Sequence, residues 1–225
     1  MKRFIDYDGT LVYTMHEWVD WINERAGTSF SMRDVLSWDW VEKIQSELDF
    51  NVFSFFDEAE PYKIKQSSLQ PIIGSLDFLR ECDKLSDKYP TKILTATHDD
   101  ALEKQKDLHI EHHFPGIEVI HEKDKHKYAI NQIDNEPCFL LDDKASGCEE
   151  WVKAGGYAML YTHNGEYPYA KTDITHPRMK VVDTYDEALS FMKDVMKSKN
   201  SNNISSTLET ENMQEASVKN AIIKQ

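Results

Sequence analysis

Two acidic clusters carry the chemistry open to this chain. Asp6-Tyr7-Asp8-Gly9-Thr10 follows the short apolar run Phe4-Ile5. A match to Asp-x-Asp-Gly-Thr arises by chance about once in 10⁵ positions at typical residue usage. The spacing suits phosphoryl transfer: a carboxylate at a strand end can attack phosphorus, and a second one two residues on can protonate the leaving oxygen. Gly9 lets the backbone turn sharply away from such a site. Taken alone, the motif is also compatible with an acidic turn after an edge strand.

The second cluster argues against that plainer reading. Leu140-Leu141-Asp142-Asp143 again sets carboxylates directly after an apolar run. Two adjacent acids ending a buried strand are costly unless a cation or a proton neutralises them. Ligands of open parallel sheets bind outside the carboxyl ends of the strands. Asp6, Asp8, Asp142 and Asp143 are therefore expected to converge there as hard oxygen ligands suited to Mg²⁺. Thr95, which closes the run Ile93-Leu94-Thr95, brings a hydroxyl to the same edge.

The elements that must position these groups follow from the apolar pattern. Five short runs (Phe4-Ile5, Ile93-Leu94, Val119-Ile120, Phe139-Leu140-Leu141 and Ala158 to Tyr161) alternate with amphipathic stretches. Those stretches are Ile72 to Leu85, with Ile73, Leu76, Leu79 and Cys82 at helical spacing, Tyr128 to Ile133, and Glu149 to Ala154 stopping at Gly155-Gly156. Alternating strands and helices predict an α/β fold with a Rossmann-like parallel sheet. The interval of about eighty residues between the first strand and Ile93 is too long for one crossover. It contains a predicted helix over Glu17 to Arg25 ending at Gly27, then Trp38, Trp40, Phe50, Phe53, Phe55 and Phe56. Residues 14–69 are read as a small helical cap inserted after the first strand, with residues 1–13 and 70–196 as the core. Pro71 is expected to start the returning helix. Residues 197–225, rich in Ser, Asn, Lys and Glu, are expected to be a disordered tail.

Bulk properties exclude several classes. The net charge of −14 over 225 residues leaves no basic surface for a nucleic-acid polymer. A small anion remains open to it, because a metal ion and a few lysines can invert the local potential. The three cysteines cannot close a disulfide framework, and Cys138 sits in a core-like run. Met1-Lys2-Arg3 runs straight into Phe4 without a signal-peptide pattern, and no apolar run approaches a membrane span. The cytoplasm is the expected compartment. A homodimer is compatible with the chain.

At these residues the sequence resembles the haloacid-dehalogenase-like phosphatases. Asp6-Tyr7-Asp8-Gly9-Thr10 looks like their first motif, Thr95 their second, a lysine near 125 their third and Asp142-Asp143 their fourth. Within them it is most similar to the pyrimidine 5′(3′)-deoxyribonucleotidases, through Phe55-Phe56, Glu60-Pro61, Pro71 to Leu76, Leu141 to Lys144 and Tyr161-Thr162-His163-Asn164. Thr95-Ala96-Thr97 stands where that family commonly has Thr-Ser-Pro. Thr14-Met15 stands where an aromatic is common.

The resemblance implies a nucleoside monophosphate as substrate and a definite mechanism. Asp6 would attack phosphorus to give an aspartyl-phosphate. Asp8 would protonate the 5′-oxygen and later take a proton from water. Mg²⁺ would be held by Asp6, the Asp8 carbonyl and Asp142, with Asp143 in support. Thr95, Ala96 and Lys144 would contact substrate, and a lysine would stabilise the added charge. Lys123, Lys125 and Lys127 all qualify, with Lys125 preferred. Trp38, Trp40 and Phe50 either stack on a base or form the cap's own core. His109, His112 and His113 have helical spacing, but Lys106 to His113 reads as a solvated helix end. Two rivals stand beside this reading: a phosphatase of another small ester such as a sugar phosphate, and a catalytically silent binding protein of the same fold.

Overall fold

The computed structural model describes residues 1–57, Tyr62, 69–86, 88–130 and 136–199. Six strands form one sheet: β1 (Lys2–Ile5), β2 (Thr91–Thr95), β3 (Glu118–His121), β4 (Cys138–Asp142), β5 (Tyr157–Tyr161) and β6 (Met179–Val182). Their order is β3-β2-β1-β4-β5-β6, and every neighbouring pair is parallel. Ile5, Leu140, Leu141, Ala158 and Met159 are completely buried. Strands covered on both faces, such as β4 and β5, are written as continuous apolar runs. The edge strand β3, exposed to half-buried along its length, still carries Val119-Ile120, so all five predicted strands were visible. β6 was not. Met179-Lys180-Val181-Val182 buries only Val182, and an edge strand of that kind leaves no run to see.

The chain leaves β1, builds β2 and β3 on one side, then crosses to start β4 on the other. β1 and β4 thus flank the point where strand order reverses, which is where a crevice forms outside the carboxyl ends. Asp6 follows β1, and Asp142 ends β4.

The insertion after β1 begins and ends at one place. Tyr13 N donates to Gln70 O at 3.2 Å and Ile72 N to Leu11 O at 2.8 Å, while Val12 bridges to Pro71 antiparallel. Between these points lie α1 (Thr14–Ala26), a 3₁₀ turn (Met32–Asp34), α2 (Trp40–Gln45) and α3 (Ser54–Asp57). The stripe Thr14, Met15, Trp18, Val19 and Ile22 is buried, as 3.6-residue periodicity requires. Gly27 ends α1 in the left-handed conformation at φ 66°. Trp18 stacks on Phe55 at 6.0 Å and donates its indole N–H to Val52 O. Glu60-Pro61, part of the family resemblance, lies outside the described residues.

Further helices are α4 (Ser75–Lys84), α5 (Asp100–His113), α6 (Lys127–Ile130) and α7 (Ala145–Lys153). Three expectations change here. Pro71 does not start a helix; it pairs with Val12, and α4 begins after Gly74. The buried face of α4 is Ser75, Phe78, Leu79 and Cys82, so Leu79 and Cys82 face inward as expected, whereas Ile73, 89% exposed, and Leu76 do not. The end of α5 is solvated on one face only, because Lys106, His109 and Ile110 are buried while Asp107, Leu108, Glu111 and His112 are exposed. The stretch predicted helical over Tyr128 to Ile133 is helical as far as Ile130 and then lies outside the described residues. Residues 185–199 are helical, which corrects the expected tail at 197–199, and 200–225 lie outside the described residues.

Candidate active site

The loop after β1 is built for close approach. Asp6 N extends the ladder to Leu141 O at 2.8 Å, and Tyr7 O accepts from Leu11 N and Val12 N at 2.9 and 3.2 Å. Gly9 has φ +69°, and a Cβ there would overlap Asp143 Oδ2. Glycine is required twice over, by backbone conformation and by space. Gly9→Ala is therefore expected to lower stability by at least about 1–3 kcal/mol, the cost of a strained backbone, and to displace Asp143. Thermal unfolding beside phosphate release checks this; a variant of unchanged stability would contradict it.

Asp6, Asp142 and Asp143 offer carboxylate oxygens that all lie within 4.8 Å of one another, and all three side chains are buried. Lys125 Nζ bridges two of them, at 2.8 Å from Asp6 Oδ1 and 2.7 Å from Asp142 Oδ2. Lys144 N donates to Asp142 Oδ1, and the Tyr169 hydroxyl donates to Asp143 Oδ2 at 2.7 Å. Asp143 Oδ1 is buried without a hydrogen-bond partner.

Three carboxylates against one ammonium leave two negative charges. Burial therefore raises the Asp6 carboxyl to about 7, with Lys125 opposing and Asp142 and Asp8 adding to the rise. Burial raises Asp143 well above the usual range, helped by Asp142 and Asp6. An all-oxygen cluster two charges short of neutrality, with an orphaned oxygen, fits a hard divalent cation.

The Asp8 carboxylate does not join this cluster. Lys106 Nζ donates to its Oδ2 at 2.6 Å, and Thr14 Oγ1 and the Tyr62 hydroxyl donate to its Oδ1 at 2.7 and 2.6 Å. Burial pushes this carboxyl up, but Lys106 and the hydroxyl donors outweigh burial and hold it below its ordinary value. The expectation that all four carboxylates converge as ligands is thus corrected: a buried ammonium claims Asp8's side chain. The same Lys106 Nζ reaches Thr95 Oγ1 at 3.0 Å and Ala96 O at 2.9 Å, so it links the second aspartate to the end of β2. Behind it, the Tyr7 hydroxyl meets His109 Nδ1, and burial with His113 nearby lowers His109 to about 4, keeping it neutral.

Among the three candidate lysines the geometry separates one. Lys125 lies in the acidic cluster, Lys123 is exposed, and Lys127 pairs with Glu122 and Asp124. The insertion aromatics divide as well. Trp38 has Lys144 Nζ over its ring at 5.1 Å and Tyr169 against it at 5.4 Å, next to Asp143. Trp40 is buried against Phe30 at 5.2 Å, and Phe50 packs on Trp21 at 5.5 Å. Both are held by partners within the insertion. Thr14, Tyr62, Lys106 and Tyr169 were missed from the sequence. Lys106 had a signal: Leu102, Lys106, His109 and Ile110 fall on one helical stripe, and the stripe is buried.

The sequence matches the family described as 5′ nucleotidase, deoxy (Pyrimidine), cytosolic type C protein over residues 2–165. No curated protein sequence matches. Solved structures share the fold at low identity. A haloacid-dehalogenase family hydrolase from Deinococcus radiodurans R1, with bound phosphate and sodium, aligns at TM-score 0.57 and 15% identity, covering 83% of this chain and 92% of that one. A haloacid-dehalogenase-like protein of unknown function from Agrobacterium tumefaciens aligns at 0.54 and 11%, covering 87% and 100%. A hydrolase from Pseudomonas syringae aligns at 0.52 and 14%, covering 87% and 99%. The match over most of the chain and the carboxylate cluster at the ends of β1 and β4 agree: this chain belongs to the cytosolic type C 5′-nucleotidase family and is a hydrolase of phosphoric monoesters.

Proposed function

We propose that the chain is a Mg²⁺-dependent 5′-(deoxy)nucleotidase that forms an aspartyl-phosphate on Asp6. One observation carries the reading: the two motif aspartates sit side by side at the switch point but in opposite electrostatic surroundings. Asp6 stands among Asp142, Asp143 and Lys125, and Asp8 is gripped by Lys106, Thr14 and Tyr62. Environments that set two carboxyls apart divide the roles of nucleophile and acid–base group.

Asp6 attacks phosphorus as its P–O bond to the leaving 5′-oxygen breaks. Lys125, already on Asp6, offsets charge at the equatorial oxygens. The resting Asp8 is ionised, which suits taking a proton from the hydrolytic water. To donate one first, it must lose its grip on Lys106. An incoming phosphoryl dianion does this, because Lys106 also touches Thr95 and is shared towards the anion, which lets the Asp8 pKa rise. Asp6, Asp142 and Asp143 would hold Mg²⁺, which supplies positive charge at the phosphoryl oxygens. Trp38 and Lys144 offer a base-stacking face and a cation beside the crevice.

The substrate is read as a nucleoside 5′-monophosphate and the setting as the cytosol. No helix among the described residues is long and apolar enough to cross a membrane. A phosphate-release screen over deoxynucleoside, ribonucleoside and sugar monophosphates, with Mg²⁺ or chelator, tests this. Deoxynucleoside 5′-monophosphates should lead, and chelator should stop turnover until Mg²⁺ is restored. Sugar phosphates outrunning every nucleotide would overturn the substrate; full turnover in chelator would overturn the metal.

Trp38→Ala should cut nucleotide kcat/KM by roughly ten-fold or more, given about 1–3 kcal/mol per base-stacking contact, and spare a small aryl phosphate. Equal losses on both substrates would make Trp38 a packing residue.

A further inference from the structure

We propose that Glu103, Asp107 and His121 form a second metal site, for a late first-row divalent ion of the zinc class, separate from the acidic cluster around Asp6. Among the described residues these side chains bring one imidazole and two carboxylate donor atoms within 4.8 Å of one another. Two elements supply them. Glu103 and Asp107 are four residues apart on α5 and so share a helix face. His121 ends β3, in register with Thr95 at the end of β2. It therefore stands at the carboxyl edge of the parallel sheet, the edge at which such sheets bind ligands.

The imidazole has a polar neighbour at each nitrogen. His121 Nδ1 lies 3.4 Å from Thr97 Oγ1, and its Nε2 lies 2.8 Å from Asp107 Oδ1. Thr97 Oγ1 is also 3.5 Å from Glu103 Oε2, so one hydroxyl borders both the ring and the second carboxylate. Thr97 borders the far nitrogen, and an ion would take the place of the proton that Nε2 shares with Asp107. The three side chains line a groove of about 530 Å³, which gives the ion a path and leaves room for water ligands. Two carboxylates balance a divalent charge.

Donor type separates the two sites. The Asp6 cluster is all oxygen and suits a hard ion, whereas an imidazole nitrogen favours zinc, cobalt or nickel over magnesium. Three protein ligands with open positions make a site that exchanges its ion rather than a closed structural one. Asp107 adjoins Lys106, so an ion here would tie α5 to β3 on either side of the Thr95-Ala96-Thr97 turn. This goes beyond the nucleotidase reading and does not depend on it.

The test is binding, with no turnover needed. The full chain, held in excess Mg²⁺ to keep the Asp6 cluster supplied, is titrated with Co²⁺ and followed by visible absorption and calorimetry. One equivalent should bind with the spectrum of a nitrogen–oxygen site. H121A should abolish that equivalent, and E103Q, on a helix surface where folding is undisturbed, should weaken it at least about ten-fold. D142A should leave it in place. No Co²⁺ uptake in excess Mg²⁺ would reduce the cluster to a surface histidine–aspartate hydrogen bond and overturn the proposal. Uptake that survives both H121A and E103Q, or vanishes only in D142A, would overturn it equally.

Discussion

Asp6→Asn is expected to end phosphate release, a loss on the order of 10⁵–10⁶-fold, as when a covalent enzyme loses its nucleophile. The fold should not suffer. Asparagine keeps the oxygen that accepts from Tyr7 N, and Lys125 keeps its partner Asp142. The substitution also removes one of three buried carboxylates from a cluster holding one ammonium. Burial raises the Asp6 pKa to about 7, above its unfolded value, so Asp6 favours folding at low pH. That contribution is lost as pH rises through about 7, where the ionised group becomes a burden. In chelator at pH 8 the variant should therefore melt no lower than wild type. Near-normal turnover would sink the covalent mechanism, and a collapse of stability would mean that Asp6 is mainly structural.

Lys125→Met carries the second large effect. Lys125 is the one cation within hydrogen-bonding reach of Asp6 and Asp142 among the described residues, and both carboxylates are buried. Removing one partner of a buried ion pair costs about 3–5 kcal/mol, because it strands uncompensated charge. In chelator the variant should melt well below wild type, and Mg²⁺ should return part of the loss by restoring positive charge beside the same oxygens. Turnover should fall about 10²–10³-fold even in Mg²⁺, since a positioned donor to the phosphoryl oxygens is gone. A variant as stable as wild type in chelator would show that the cluster is neutralised some other way.

What the sequence disclosed depended on whether the signal was local. Asp6, Asp8, Asp142 and Asp143 were legible because each follows an apolar run buried on both faces, and such runs announce strand ends. Lys125 was preferred among three lysines in the sequence, and the fold puts it between Asp6 and Asp142. Lys106 was read as solvated, since a lysine on a helix is ordinarily so; its burial follows from a partner 98 residues away. Trp38 and Trp40 are two residues apart and look alike in sequence. Only packing told them apart, Trp40 turning inward onto Phe30 and Trp38 towards Lys144 and Tyr169. α4 misled for a related reason: Ile73 and Leu76 are apolar yet exposed, while Ser75 is buried.

In the proposed mechanism the phosphoryl group passes through Asp6. Full-length protein mixed with a deoxynucleoside 5′-monophosphate and Mg²⁺, quenched in acid within the first turnover and digested, tests it by mass spectrometry. One phosphoryl group is expected on the peptide that carries Asp6-Tyr7-Asp8, absent from the Asp6→Asn protein and from a chelated control. Rapid turnover with no phosphoryl group on that peptide, or with the group on any other residue, would contradict it.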